Sequence, residues 1–203
     1  MGAPKRKKPA IVSILLFFLA GILMVYFVYG SSWIKRMRYP LKYEEEIREY
    51  SAEYSVDPYM VASVIWVESR FLSDAVSGRD ARGLMQLLPT TAAWAAKKMG
   101  LEDFEETKLL DPEVNIRIGC WYLGFLSSRF PGNDDLILAA YNGGIGNVQK
   151  WLQDKTYSGD GQQLDHIPFR ETRDYIIKVQ DAYKIYKEIY PSLDLSPNQK
   201  GSY

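Results

Sequence analysis

The chain of 203 residues is short of the side chains that carry most enzymatic chemistry: it has one cysteine, Cys120, and one histidine, His166. A lone cysteine excludes a disulfide framework within the chain, and one Cys with one His cannot assemble a zinc cluster. A Ser-His-Asp triad would have to run through His166, which lies in a polar, glycine-rich approach to a helix. A Cys120–His166 nucleophilic pair fares no better. Cys120 falls mid-helix among Ile118, Trp121 and Tyr122, the usual setting of an inert packing thiol. Acid is missing from the first 38 residues, where Lys5, Arg6, Lys7, Lys8, Lys35, Arg36 and Arg38 stand without one Asp or Glu. The whole chain balances 25 basic against 25 acidic residues, so the remainder holds 18 basic against 25 acidic. An acidic body argues against nucleic acid as a partner. No cofactor and no metal are expected, and any catalysis must lean on carboxylates.

What is present is a globular chain with an apolar leader. The hydrophobic fraction of 47% suits a packed core. Aromatics are high at 14%, which suits a cleft that stacks against sugar faces but also a tight helical core, and most fall at helical spacing. After the basic flank at 1–9, an uncharged run covers 10–34, and its apolar heart, Ala10 to Tyr29, is long enough to span a hydrocarbon core as a helix. Tyr26, Tyr29 and Trp33 form an interfacial aromatic belt near its far end. A cleaved signal peptide is the competing reading. Its apolar region would be unusually long and no A-x-A site follows, although Val28-Tyr29-Gly30 supplies small-enough residues. Four basic residues precede the span and three follow, a weak bias toward a cytoplasmic N-terminus with the body outside.

The expected organisation is a linker at 35–44, an α-rich domain at 45–190 and a flexible tail at 191–203. A helix is expected over Tyr39 to Tyr54. Asp57-Pro58 and Asp111-Pro112 each read as an N-cap with proline at the first helical position. The stretch Asp74 to Gly83 is polar, punctuated by glycine and without period, so a loop or small hairpin is expected there. Further helices are expected from Thr90 to Met99, from Asp111-Pro112 through Val114 and Phe125 to near Phe130-Pro131-Gly132, from Leu136 to Tyr141 with a break at Asn142-Gly143-Gly144, and from Phe169 to about Tyr190.

Glu68 is out of place. The stripe Val61, Val64, Ile65 marks the buried face of its helix, and Glu68 lies seven, four and three residues beyond those positions, on the same face. A carboxyl there loses water close to the negative end of the helix dipole, and both effects raise its pKa. A Glu paired with an Arg elsewhere in the fold remains the plainer alternative.

Four patches punctuate the helices with polar tips: Glu68-Ser69, Gly83-Leu84-Met85-Gln86, Ala140-Tyr141-Asn142-Gly143-Gly144, and Ile167 through Tyr175. In this order and spacing they resemble the catalytic domain of soluble-type lytic transglycosylases, peptidoglycan-cutting enzymes of the lysozyme superfamily, to which goose-type lysozymes are similar. The resemblance covers roughly residues 45–190. It implies a mainly α, lysozyme-like domain with a short hairpin or irregular element, here preceded by one transmembrane helix. By the same resemblance Glu68 is the catalytic acid and Ser69 its regular follower. Met85 and Gln86 line the cleft, Tyr141 and Asn142 hold the sugar and its N-acetyl group, and Tyr175 approaches the catalytic carboxyl. For Glu171 and Arg173 an internal ion pair and substrate contact remain equally open.

Most glycosidases add a second carboxylate, and none accompanies these motifs. In the family the substrate fills that gap. The acetamido group of MurNAc stabilises C1, and the C6 hydroxyl then attacks to give a 1,6-anhydro ring. The implied partners are peptidoglycan glycan strands and, through the N-terminal helix, a membrane, with the domain on the wall-facing side. A hydrolase with the same Glu68 and a non-catalytic wall-binding protein are the rival readings.

Overall fold

The computed structural model describes residues 8–194, and the chain divides into two units, Met1–Pro40 and Leu41–Tyr203. The first holds α1 (Lys8–Arg38), which contains a stretch, Val12–Arg38, long and apolar enough to cross a membrane, with a mean hydropathy of 2.5 over its most apolar 18-residue window. Its large apolar side chains from Val12 to Phe27 are exposed, a surface that water does not stabilise. Of the expected basic flank, residues 1–7 lie outside the described residues, as do residues 195–203 of the expected tail.

The second unit is helical throughout: α2 (Glu44–Glu53), α3 (Pro58–Ser69), α4 (Pro89–Met99), α5 (Pro112–Arg129), α6 (Asp134–Gly143), α7 (Ile145–Gln153) and α8 (Arg170–Ile189), with 3₁₀ turns at Glu106–Leu110 and Pro191–Leu193. Among the described residues there is no strand. Between α3 and α4 the chain makes only isolated antiparallel bridges, Val76 to Arg82 and Arg82 to Leu87, which is the expected irregular element. The expected mainly α architecture, with one apolar helix ahead of it, is therefore present.

Local chemistry sets the helix starts. Asp57 accepts from the Tyr59 amide at 2.8 Å, and Asp111 accepts from Glu113 and Val114 at 2.9 and 3.2 Å. In both cases the following proline fills a position whose N–H has no helical partner. The helix expected from Tyr39 starts later, at Glu44. Pro40 disfavours helical geometry at Tyr39, and Tyr43 adopts a left-handed φ of 56°. Likewise α6 runs on through Asn142 and Gly143 and breaks only at Gly144, where φ reaches +87°.

The packing that matters for the site is α3 against α8. Val61, Val64 and Ile65 on α3 are fully buried, as are Val179, Ala182 and Tyr186 on α8. Tyr183 clamps the pair by donating to Asp57 at 2.7 Å and meeting the Tyr59 ring edge-on at 6.1 Å. Each buried branched aliphatic contributes roughly 1.5–3 kcal/mol, so the two helices form a rigid frame.

Candidate active site

Glu68 stands in the last turn of α3, one residue before the helix ends. The chain then turns sharply: Arg70 and Phe71 both take left-handed φ values, 55° and 61°, which neither side chain prefers. Phe71 is buried against Tyr186 with ring centroids 6.3 Å apart, and this anchor holds the turn. Burial drives the Glu68 carboxyl up to about 7; the nearby Tyr175 phenol pulls the value down and the charge of Glu171 pushes it up. Among the described residues the ion pairs run through other carboxylates. The paired-Arg alternative therefore has no support there.

The facing wall is the irregular element, and a buried amide on α5 pins it. Asn115, with no exposed surface, accepts from the Met85 amide at 2.7 Å and donates to the Arg82 and Leu109 carbonyls at 2.9 and 2.8 Å. The backbone comes so close that only glycine fits at position 83. A Cβ there would lie 2.1 Å from the Leu109 carbonyl oxygen and 2.3 Å from the Asn115 nitrogen, and φ is +75°. Gln86 then takes a left-handed φ of 47°, and its amide nitrogen donates to the carbonyls of Ala75 and Gly83. Asn115 shares a stripe with Ile118 and Tyr122, so the signal that singles out Glu68, a polar residue on an apolar face, would have found it too.

The third wall comes from the α6–α7 break and the start of α8. Tyr141 donates to the Met85 carbonyl at 2.8 Å. Thr172 donates to the Asn142 carbonyl oxygen at 2.8 Å, which leaves the amide NH₂ as the group Asn142 can offer a ligand. Gly143 permits this approach, since a Cβ there would lie 3.1 Å from the Thr172 hydroxyl. Tyr175 is buried, and its hydroxyl has no hydrogen-bond partner among the described residues. That phenol is electrostatically coupled to Glu68 without completing a normal hydrogen bond.

Together Glu68, Gln86, Tyr141 and Asn142 line one cleft of about 460 Å³, with Ser77, Gly78, Arg79, Ala81, Leu88 and Glu171. Three expected substrate contacts are not among its lining residues: Tyr175, which is buried, and two whose side chains turn into the fold. Ser69 is buried and its hydroxyl donates back to the Ile65 carbonyl at 3.1 Å, the ordinary use of a serine within a helix. Met85 is fully buried; its sulfur fills the space that Gly119 leaves, 2.1 Å from where a Cβ would stand. The two residues left open, Glu171 and Arg173, have separate partners. Glu171 pairs with Arg79 at 3.3 Å, and Arg173 instead donates to the Ile167 and Pro168 carbonyls. Arg79 sits 92 residues from its partner, in a loop without periodicity, and nothing in the sequence pattern links the two.

The family profile described as Transglycosylase SLT domain matches residues 45–163, more than half of the chain. The chain belongs to the transglycosylase SLT domain family. The chain is 34% identical over 153 residues to the soluble lytic murein transglycosylase of Escherichia coli K12, covering 73% of this chain and 24% of that protein. It is 32% identical over 167 residues to the membrane-bound lytic murein transglycosylase C of Serratia proteamaculans, covering 72% and 47%. Among solved structures, an inactive Glu-to-Gln mutant of the lytic transglycosylase Slt from Pseudomonas aeruginosa superposes with a TM-score of 0.66 at 34% identity, over 75% of this chain and 25% of that one. The chain thus spans about a quarter of the length of its soluble relatives. The profile match ends ahead of α8, so Glu171, Thr172 and Tyr175 lie beyond the matched residues, and the packing of α8 brings them beside the cleft.

Proposed function

We propose that the chain is a membrane-anchored lytic transglycosylase that cleaves the β-1,4 bond between MurNAc and GlcNAc in peptidoglycan and leaves a 1,6-anhydro-MurNAc end. The observation that carries this reading is a carboxyl raised to about 7 by burial, at the edge of a polar-lined cleft of about 460 Å³. Such an acid holds its proton near neutrality and can still release it.

Glu68 protonates the glycosidic oxygen as the C1–O bond breaks, and the GlcNAc side leaves with its new hydroxyl. The acetamido oxygen of MurNAc bonds to C1 and holds the developing charge. Asn142, its amide turned by Thr172, and Gln86 orient that arm. Glu68, now ionised, takes the proton of the C6 hydroxyl, O6 attacks C1, and the acetamido group is released. The carboxyl returns to its acid form, so no proton is gained or lost. The relatives named as lytic murein transglycosylases support this chemistry, and those named as membrane-bound agree with a reading of α1 as the anchor. The excess of basic residues ahead of the span supports placing the domain outside.

A hydrolase reading has one observation in its favour. Glu171, a second carboxylate, lines the same cleft, contrary to the expectation that Glu68 stands without one. Its side chain is 67% exposed and tied to Arg79, which suits a charge held in water better than a base poised over C1. Digestion of purified sacculi decides between them. Mass spectrometry should find anhydro ends; products heavier by one water would replace the lyase reading with hydrolysis. Partition of the full chain into the membrane fraction after alkaline carbonate washing tests the anchor.

A further inference from the structure

The Glu68 cleft has a neighbour. A cavity of about 560 Å³, with Asn147, Phe169 and Arg170 on its walls, shares Arg79, Asn142 and Glu171 with the cleft. The 3.3 Å ion pair between Arg79 and Glu171 therefore stands on the boundary of both. Its side chains are 81% and 67% exposed, so the pair lies on the outer rim, while Glu68 sits deeper and has lost most of its water. Each end of the pair has a fixed support. Arg79 is carried on a tight turn in which the Ser77 amide donates to the Ala81 carbonyl at 2.9 Å and the Asp80 amide to the Ser77 carbonyl at 3.0 Å. The Ser77 hydroxyl also accepts from the Arg79 and Ala81 amides at 3.2 and 3.0 Å. Arg82 grips both oxygens of Asp80 at 2.9 and 3.0 Å, which takes the adjacent carboxylate out of competition for Arg79. Glu171 stands in the first turn of α8, and the adjacent cation, Arg170, is paired with Asp174 at 3.6 Å. The two walls are thus rigid posts, and only the two side chains between them need turn for the pair to open.

We infer that this ion pair is a bar across the mouth of the Glu68 cleft, and that Arg79 thereby determines where along a strand the cut falls. A strand end slides beneath the closed bar, whereas an internal segment must part it. The inference rests on the reading of the chain as a glycan-cleaving enzyme. An exposed ion pair is weak enough to open on thermal motion and strong enough to bias entry. Closed, it favours cuts near strand ends. Opened by salt, or by loss of either partner, it lets internal segments settle onto Glu68 from the side. Salt also separates a bar from a plain attraction between Arg79 and an anionic strand. Screening weakens both, but it speeds internal entry past a bar and slows capture by a lone cation.

The test follows long soluble glycan strands cut by the full chain in lipid nanodiscs, at low and at high salt. The ratio of internal to terminal cuts is read from the sizes of the earliest products. Arg79→Gln and Glu171→Gln should each raise that ratio about three- to fivefold at low salt, the scale of one exposed ion pair, and the double variant should go no further. In the wild type, high salt should lift the ratio to the level of the variants, whose own ratio salt should leave in place. Arg79→Lys keeps the charge and should restore most of the wild-type bias. A ratio that either single variant leaves unchanged, as a purely structural role would, overturns the bar, and so does an additive rise in the double variant. A fall in Arg79→Gln also overturns it, and marks a direct contact between Arg79 and the strand. A wild-type chain that cuts nothing counts against the enzymatic reading, and the bar is then decided by association with the same strands. Faster association by both single variants than by the wild type supports it; equal, slower or absent association overturns it.

Discussion

Glu68 and Glu171 face one cleft from α3 and α8, and their surroundings share almost nothing. Glu68 ends a helix whose inner face is dry, beside a buried phenol, and its carboxyl is held up to about 7. Glu171 begins a helix, where the dipole favours a charge, stands mostly in water and pairs with Arg79. Identical side chains are thus given opposite surroundings by solvent access and helix polarity, the pattern by which paired carboxylates divide their tasks. The most direct attempt to break this contrast is to neutralise each in turn. Glu68→Gln should cut sacculus digestion by about a thousandfold or more, the scale of losing a proton donor, while Glu171→Gln should retain most of the rate. Near-equal losses in the two variants, measured by release of soluble muropeptides, would erase the division.

The wall opposite Glu68 depends on close backbone approach more than on apolar burial. Gly83→Ala forces a Cβ into the Leu109 carbonyl and the Asn115 amide at a left-handed φ. A destabilisation of about 2–4 kcal/mol is expected from the clash and the strain together, together with loss of the Gln86 position and hence of activity. Denaturant melts of the variant check the first part, and wild-type stability there would mean that the loop relaxes freely.

Ionising Glu68 should also cost the fold. Its folded pKa, about 7, lies above the ordinary 4.5, so its contribution is fully present below about pH 4.5 and lost as pH rises through 7. Glu68→Gln has no such loss. It should match the wild type near pH 4 and exceed it by on the order of 2–3 kcal/mol above pH 8, read from urea midpoints across pH. A constant difference would mean that the carboxyl is not desolvated.

The contrast between the two carboxylates was only half legible in the sequence. The position of Glu68 follows from a 3.6-residue period, and the starts of α3 and α5 from Asp-Pro pairs, because these are local and repeat within one element. The surroundings of Glu171 are not local. Its partner Arg79 lies in an aperiodic loop, and no spacing rule links positions brought together only when α8 packs on α3. Met85 shows the same limit from the other side. A methionine beside a cleft glutamine looks like a lining residue until the missing side chain of Gly119, on a different helix, makes room for its sulfur. Ser69 is pulled inward by the carbonyl of Ile65 in its own helix, an interaction that sequence allows but does not require. Glu68 could be placed because the period of its own helix sets its direction, whereas Met85 and the Glu171 partner depend on a second element and Ser69 on a local hydrogen bond that the pattern does not specify.

The smallest expected effects are also the sharpest test of the comparison, because they carry opposite signs. The Tyr175 hydroxyl pulls the Glu68 pKa down, and the charge of Glu171 pushes it up. Tyr175→Phe should therefore move the alkaline limb of the activity profile to higher pH, and Glu171→Gln should move it to lower pH. Tyr175→Phe should cost little stability, since the hydroxyl it removes is buried with no partner among the described residues. The limb is the one that falls as the acid loses its proton, so kcat/KM must be followed from about pH 5 to 9 in each variant. Shifts in the same direction would mean that both substitutions act by loosening the cleft, and the two carboxylates would then be coupled through packing and not through charge.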